Sequence, residues 1–151
     1  MYKVYLAGAI GTLDYLEATD WRLYVAQKCK LHYDTQVIIK DPMRFKEHLS
    51  TNQKLDFVYE DQVLCSPKAI VTRDLNDVMT SDLVLANLDT DVKSIGTSCE
   101  INTAYLCKIP VLGVFSKDTN NIYNKHPFIQ EQVSFKVFDL DDAIDLIGKI
   151  I

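Results

Sequence analysis

One acid in this chain stands where a carboxylate could do covalent chemistry. Residues 94–105 read SIGTSCEINTAY: a loop of small residues, then Glu100, then apolar residues at helical spacing. Two readings of Glu100 follow. With Thr97 three residues before it, it completes a capping box, in which hydroxyl and carboxylate satisfy backbone N–H groups reciprocally. Alternatively it is a nucleophile, and a place in the first helical turn would favour its ionised form through the helix dipole. Three further acids bear on the choice. Asp74 lies in TRDLND, Asp82 opens the run DLVLANL, and Asp14 follows the first glycine loop. By spacing alone Asp74 is a solvated helix residue. Brought into one cleft with Glu100, it would make a carboxyl pair of the kind that breaks glycosidic bonds, one attacking the anomeric carbon while the other assists the leaving group.

The elements that must position these residues are legible from periodicity. KVYLAG, TQVIIKDP, DLVLANL, IPVLGVF and VSFKVFDL read as five strands, short apolar runs bounded by turn residues. Between them lie helical stretches. In residues 14–31, Leu16, Trp21, Leu23, Tyr24, Ala26 and Cys29 suit one broad apolar face. Residues 52–64 are helical in composition. Ser66 and Pro67 form an N-cap and first-turn pair for the next helix, with Ile70, Leu75 and Met79 toward the core. A helix follows from residue 97 to about 108, and DDAIDLIGKII closes the chain. SKDTNNIYNKHP reads as a polar surface loop or lid. Strands alternating with helices predict an α/β fold of the doubly wound class, a parallel sheet covered on both faces within a single domain over residues 1–151. Ligands on such sheets bind at the carboxyl ends of the strands. The loops of interest are therefore residues 8–14, 41–44 and 89–96.

Composition narrows the partners. The 151 residues carry a formal net charge of -5, with no concentrated basic track, so polymeric nucleic acid is not expected as a partner. The four cysteines, Cys29, Cys65, Cys99 and Cys107, form no CxxC pair; Cys99 and Cys107 lie in apolar patterns and are expected to be buried, reduced thiols. His32, His48 and His126 are scattered without ligand spacing, so no metal is expected. No cofactor is expected either: GAIG at residues 8–11 is not the dinucleotide-binding fingerprint. With no run of transmembrane length and no signal peptide, a cytoplasmic protein is expected.

KVYLAG, RDLNDVMTSDLVLANL and SIGTSCEINTAYL, in that order and at those separations, resemble the nucleoside 2-deoxyribosyltransferase family, whose relatives include the 2'-deoxynucleoside 5'-monophosphate N-hydrolases. The resemblance runs through about residue 115. It implies a flavodoxin-like sheet of five strands and a retaining mechanism. Gly96, Thr97 and Glu100 match the G-T-x-x-E pattern, which makes Glu100 the nucleophile on C1' of deoxyribose. Asp74 matches the family's aspartate at the leaving base, and Tyr5 the tyrosine that holds the nucleophile. Gly8, Ala9, Ile10, Ser94, Gly96 and Thr97 would line the substrate. Ser94 stands where the transferases carry an aspartate for the sugar 5'-hydroxyl; serine there resembles the monophosphate hydrolases, and a hydroxyl at a helix start suits a phosphate. The first loop lacks the hydrolases' arginine, for which Arg44 or Arg73 would substitute. The resemblance also implies a homodimer or higher homo-oligomer, with Asn121, Tyr123 or His126 donated across the interface, and a deoxynucleoside or deoxynucleotide as small-molecule partner. Transfer of deoxyribose to a second base is expected ahead of hydrolysis, and a non-catalytic nucleotide-binding module is the alternative of another class.

Overall fold

The computed structural model describes residues 1–50, 54–55, 63 and 66–151; the helix expected over residues 52–64 falls largely outside them, as does Cys65. Five parallel strands form one sheet: β1 (Tyr2–Gly8), β2 (Val37–Lys40), β3 (Leu83–Leu88), β4 (Val111–Phe115) and β5 (Phe135–Val137). Their order is β2-β1-β3-β4-β5, all neighbours parallel. This is the flavodoxin-like order, with its switch point between β1 and β3.

Alternation along the strands divides the core into two layers. Val4, Leu6, Leu83, Leu85, Leu112 and Val114 face α1 (Tyr15–Tyr33) and α6 (Leu140–Ile150). Tyr5, Ala7, Val84, Ala86, Val111 and Phe115 face the opposite layer, which holds α2 (Pro67–Met79) and α3 (Ile95–Leu106). Short helices α4 (Ile122–Lys125) and α5 (Pro127–Gln132) precede β5. Every residue of β4 is buried, which is why its pattern is a continuous apolar run rather than an alternating one.

The helices begin at polar caps. Asp14 caps α1 and forms a reciprocal capping box with Glu17. Ser66 caps α2, followed by Pro67 as expected. Asp139 caps α6. Asp82, just before β3, is tied to the start of the neighbouring strand β1, accepting from the Lys3 backbone N–H at 2.7 Å.

Several expectations are corrected. The buried face of α1 is Ala18, Thr19, Arg22, Val25 and Cys29, while Leu16 and Leu23 are exposed. The small residues let the helix approach the sheet and the arginine fills the space beneath the first loop, turning the two leucines outward. In α2 the buried residues are Asp74, Asp77 and Val78, and Met79 is exposed. The cause is polar: Asp74 and Asp77 meet Arg73 and Arg44 and are carried inward with them. Cys99 and Cys107 are exposed, unlike Cys29, because the buried stripe of α3 passes them by. The stretch after β4 is not a simple surface loop, since it contains α4 with Tyr123 and Asn121 buried.

Candidate active site

The cap of α3 decides what Glu100 does. Ser94, not Thr97, is the N-cap: its hydroxyl accepts from the Thr97 N–H at 3.2 Å and from the Thr97 hydroxyl at 2.9 Å. The expected capping box between Thr97 and Glu100 is therefore absent. Both residues are competent caps, and burial selects between them. Starting the helix at Ile95 places Thr97, Glu100, Ile101 and Ala104 on the buried face, the i, i+3, i+4, i+7 positions of one stripe. Glu100 consequently sits in the second turn, beyond the strongest influence of the helix dipole.

Its partner is across the core. The Tyr5 hydroxyl donates to Glu100 Oε1 at 2.6 Å, and both side chains are buried. Tyr5 is fully enclosed. Burial raises the Glu100 carboxyl from 4.5 to about 7; the Tyr5 hydrogen bond opposes the rise, Asp74 adds to it, and Arg22 and Lys46 oppose it. Burial and the neighbouring Glu100 carboxylate push the Tyr5 hydroxyl well above its ordinary value, so Tyr5 is held as a hydrogen-bond donor.

Asp74 reaches the same place from α2. It is buried rather than solvated, and its Oδ1 accepts from Arg73 Nε at 3.0 Å and lies 2.9 Å from Arg73 Nη2. Arg73 also donates to the Pro42 carbonyl at 2.8 Å, tying α2 to the loop after β2. Burial raises the Asp74 carboxyl, opposed chiefly by Arg73.

Glu100 and Asp74 line one cavity of about 330 Å³ at the carboxyl ends of β1 and β3. That volume lies at the lower end of small-molecule sites. Gly8, Ile10, Ser94, Gly96 and Thr97 line it as expected, joined by Gly11, Met43 and Lys46, which the sequence did not single out. Lys46 is buried, unusual for a lysine, and no periodicity announces it because it lies in a loop. Gly8 has a steric reason to be glycine: a Cβ there would stand 2.7 Å from the Trp21 ring. Ala9 is buried behind the wall and does not line the cavity.

Arg44 and His126 do not line this cavity within one chain either. Arg44 pairs with Asp77 at 2.5 Å and does not line the cavity; the buried carboxylate of α2 takes its charge. His126 is exposed and lines a second, more open cavity of about 630 Å³ beside Phe128 and Cys99. Asn121 and Tyr123 are buried within their own chain. The Tyr123 hydroxyl accepts from the Ser94 N–H at 2.8 Å and donates to the Val92 carbonyl at 3.1 Å. The Asn121 amide donates to the Thr90 carbonyl at 2.8 Å. Together they hold the loop between β3 and α3 that forms one wall of the site.

No protein-family model matches the sequence, and no curated protein matches it. Solved structures share the fold along the whole chain. A conserved protein of Enterococcus faecalis V583 is 20% identical with a TM-score of 0.66, covering 100% of this chain and 99% of that one. A 2-deoxyribosyltransferase of Bacillus psychrosaccharolyticus is 14% identical with a TM-score of 0.65, covering 98% of this chain and 95% of that one. At such identities the likeness is one of fold.

Proposed function

We propose that this chain cleaves the N-glycosidic bond of 2'-deoxynucleosides and passes the deoxyribose to a second base, working as a homo-oligomer. The observation that carries the reading is the buried Tyr5–Glu100 hydrogen bond at the wall of a cavity that Asp74 also lines. A deoxyribosyltransferase with the same fold supports it.

In the proposed reaction, ionised Glu100 attacks C1'. The C1'–N bond breaks, its electron pair leaves with the base, and a glycosyl ester forms on Glu100. Tyr5 holds one carboxylate oxygen and leaves the other for attack. Asp74, in its protonated form, gives its proton to the departing nitrogen. A second base then attacks C1' from the vacated side, displaces Glu100 and returns a proton to Asp74. Retention at C1' follows from two displacements.

Hydrolysis of 5'-monophosphates is the second reading. It is favoured by the Ser94 hydroxyl at the N-terminus of α3, with Lys46 and Lys93 in the same lining, a polar and cationic setting that suits a phosphate. One experiment separates the readings: incubation with deoxynucleosides and their 5'-monophosphates, with and without a free base. A new nucleoside is the expected product. Free base and sugar phosphate alone would establish the hydrolase. No turnover of any substrate, with binding retained, would leave a nucleotide-binding module.

A further inference from the structure

Arg22 is fully buried and has the largest volume among the fully enclosed side chains described. An enclosed guanidinium is costly unless its donors and charge are met. Here the framework of the candidate site meets its charge and its two terminal nitrogens, while Nε makes no hydrogen bond among the described residues. Nη2 donates to the Gly8 carbonyl at 2.9 Å, at the carboxyl end of β1. Nη1 donates to the Ala18 carbonyl, one turn back in α1. Nε lies 3.5 Å from Asp41 Oδ1, and that same oxygen accepts from the Met43 N–H at 2.8 Å. Gly8 and Met43 both line the cavity. One planar fork therefore joins the loop after β1, the loop after β2 and helix α1, a geometry that lysine cannot reproduce.

We propose that Arg22 is a positioning residue of this site: it fixes the two loops that shape the cavity. The proposal rests on the reading of the cavity as the active site. It adds a residue that does not line the cavity and acts through Gly8, Asp41 and Met43.

Arg22→Lys keeps the charge and loses the fork; Arg22→Gln with Asp41→Asn loses the fork while leaving no carboxylate stranded, and serves where the first does not fold cooperatively. Loop order is read by amide exchange at Thr12, Leu13 and Met43. In either variant we expect faster exchange at those amides and a kcat/KM lower by about tenfold to a hundredfold, carried by KM. Native exchange and native KM in a cooperatively folding variant would overturn the positioning role. If the wild type turns over no deoxynucleoside, the functional reading fails, yet amide exchange still decides the role of Arg22.

Discussion

Two helix starts in this chain look alike in sequence and behave differently. At α1, Asp14 and Glu17 stand three residues apart and close a reciprocal capping box, both in solvent. At α3, Thr97 and Glu100 have the same spacing, yet Ser94 takes the cap and Glu100 is buried against Tyr5. The difference teaches that a local motif states which bonds an acid can make, whereas the packing of the helix states which it does make. Glu17 is placed to satisfy backbone donors. Glu100 is placed where its carboxyl is desolvated, held by one tyrosine and open to a cavity, at a cost that capping would not require.

The sharpest way to break the comparison is to remove the carboxylate from each. Glu100→Gln should lower transferase turnover by about 10⁴-fold or more, the scale seen for lost nucleophiles, while the fold survives. Glu17→Gln should leave turnover unchanged, since glutamine still closes a capping box. Near-normal activity in folded Glu100→Gln would remove the nucleophile from the proposed mechanism. Next in size, Asp74→Ala should cost about 10²–10⁴ in rate, as for lost acid–base help, with a smaller loss for bases that leave readily. Measuring rates over a series of leaving groups checks this; an equal loss throughout would make Asp74 a positioning group only.

The third test uses stability. The Glu100 carboxyl is raised from 4.5 to about 7 in the folded protein, so between those values the folded state holds a proton that the unfolded state has released. Stability should therefore be full below about pH 4.5, fall as pH rises through the window, and stay low above pH 7. The loss attributable to Glu100 is about 3 kcal/mol, from roughly 1.4 kcal/mol for each pH unit. Denaturant unfolding of wild type and Glu100→Gln at pH 5 and pH 8 should show the variant gaining relative stability at pH 8. An equal difference at the two pH values would mean that Glu100 does not titrate in this window. The smallest effect concerns the cap. Ser94→Ala should cost about 1 kcal/mol of stability. Ser94→Asp should retain the cap yet raise KM for a 5'-monophosphate, by repelling its charge, relative to the nucleoside. An unchanged preference in Ser94→Asp would exclude Ser94 from contact with the 5' end.

Much of the fold was legible because it follows from short-range rules. Ser66 and Pro67 announce a helix start wherever they fall before a helical pattern, and they do so here. The run DLVLANL could hardly be other than a strand covered on both faces, and five such runs separated by helices call for a parallel sheet. The candidate site was legible in part, since Glu100 and Asp74 were singled out and line one cavity, with Tyr5 bonded to Glu100 in the core beside it. Other features were not. Leu16 and Leu23 carry a hydrophobic signal that suggested burial, yet the arginine between them is enclosed and they are exposed. Tyr123 lies in a polar stretch that resembles a surface loop, yet its hydroxyl holds the backbone of Ser94.

The sequence by itself determined the strands, their alternation with helices, and the loops that come to border the cavity, because apolar periodicity and caps act over a few residues. Tertiary structure alone decided which acid is a cap and which a desolvated carboxylate, that Arg22 is sealed beneath Gly8, and that Lys46 turns inward. Those outcomes depend on dielectric and on partners brought together from distant positions: Tyr5 and Glu100 are 95 residues apart. Burial strengthens a charge interaction only after folding has removed the water, and no local spacing records that.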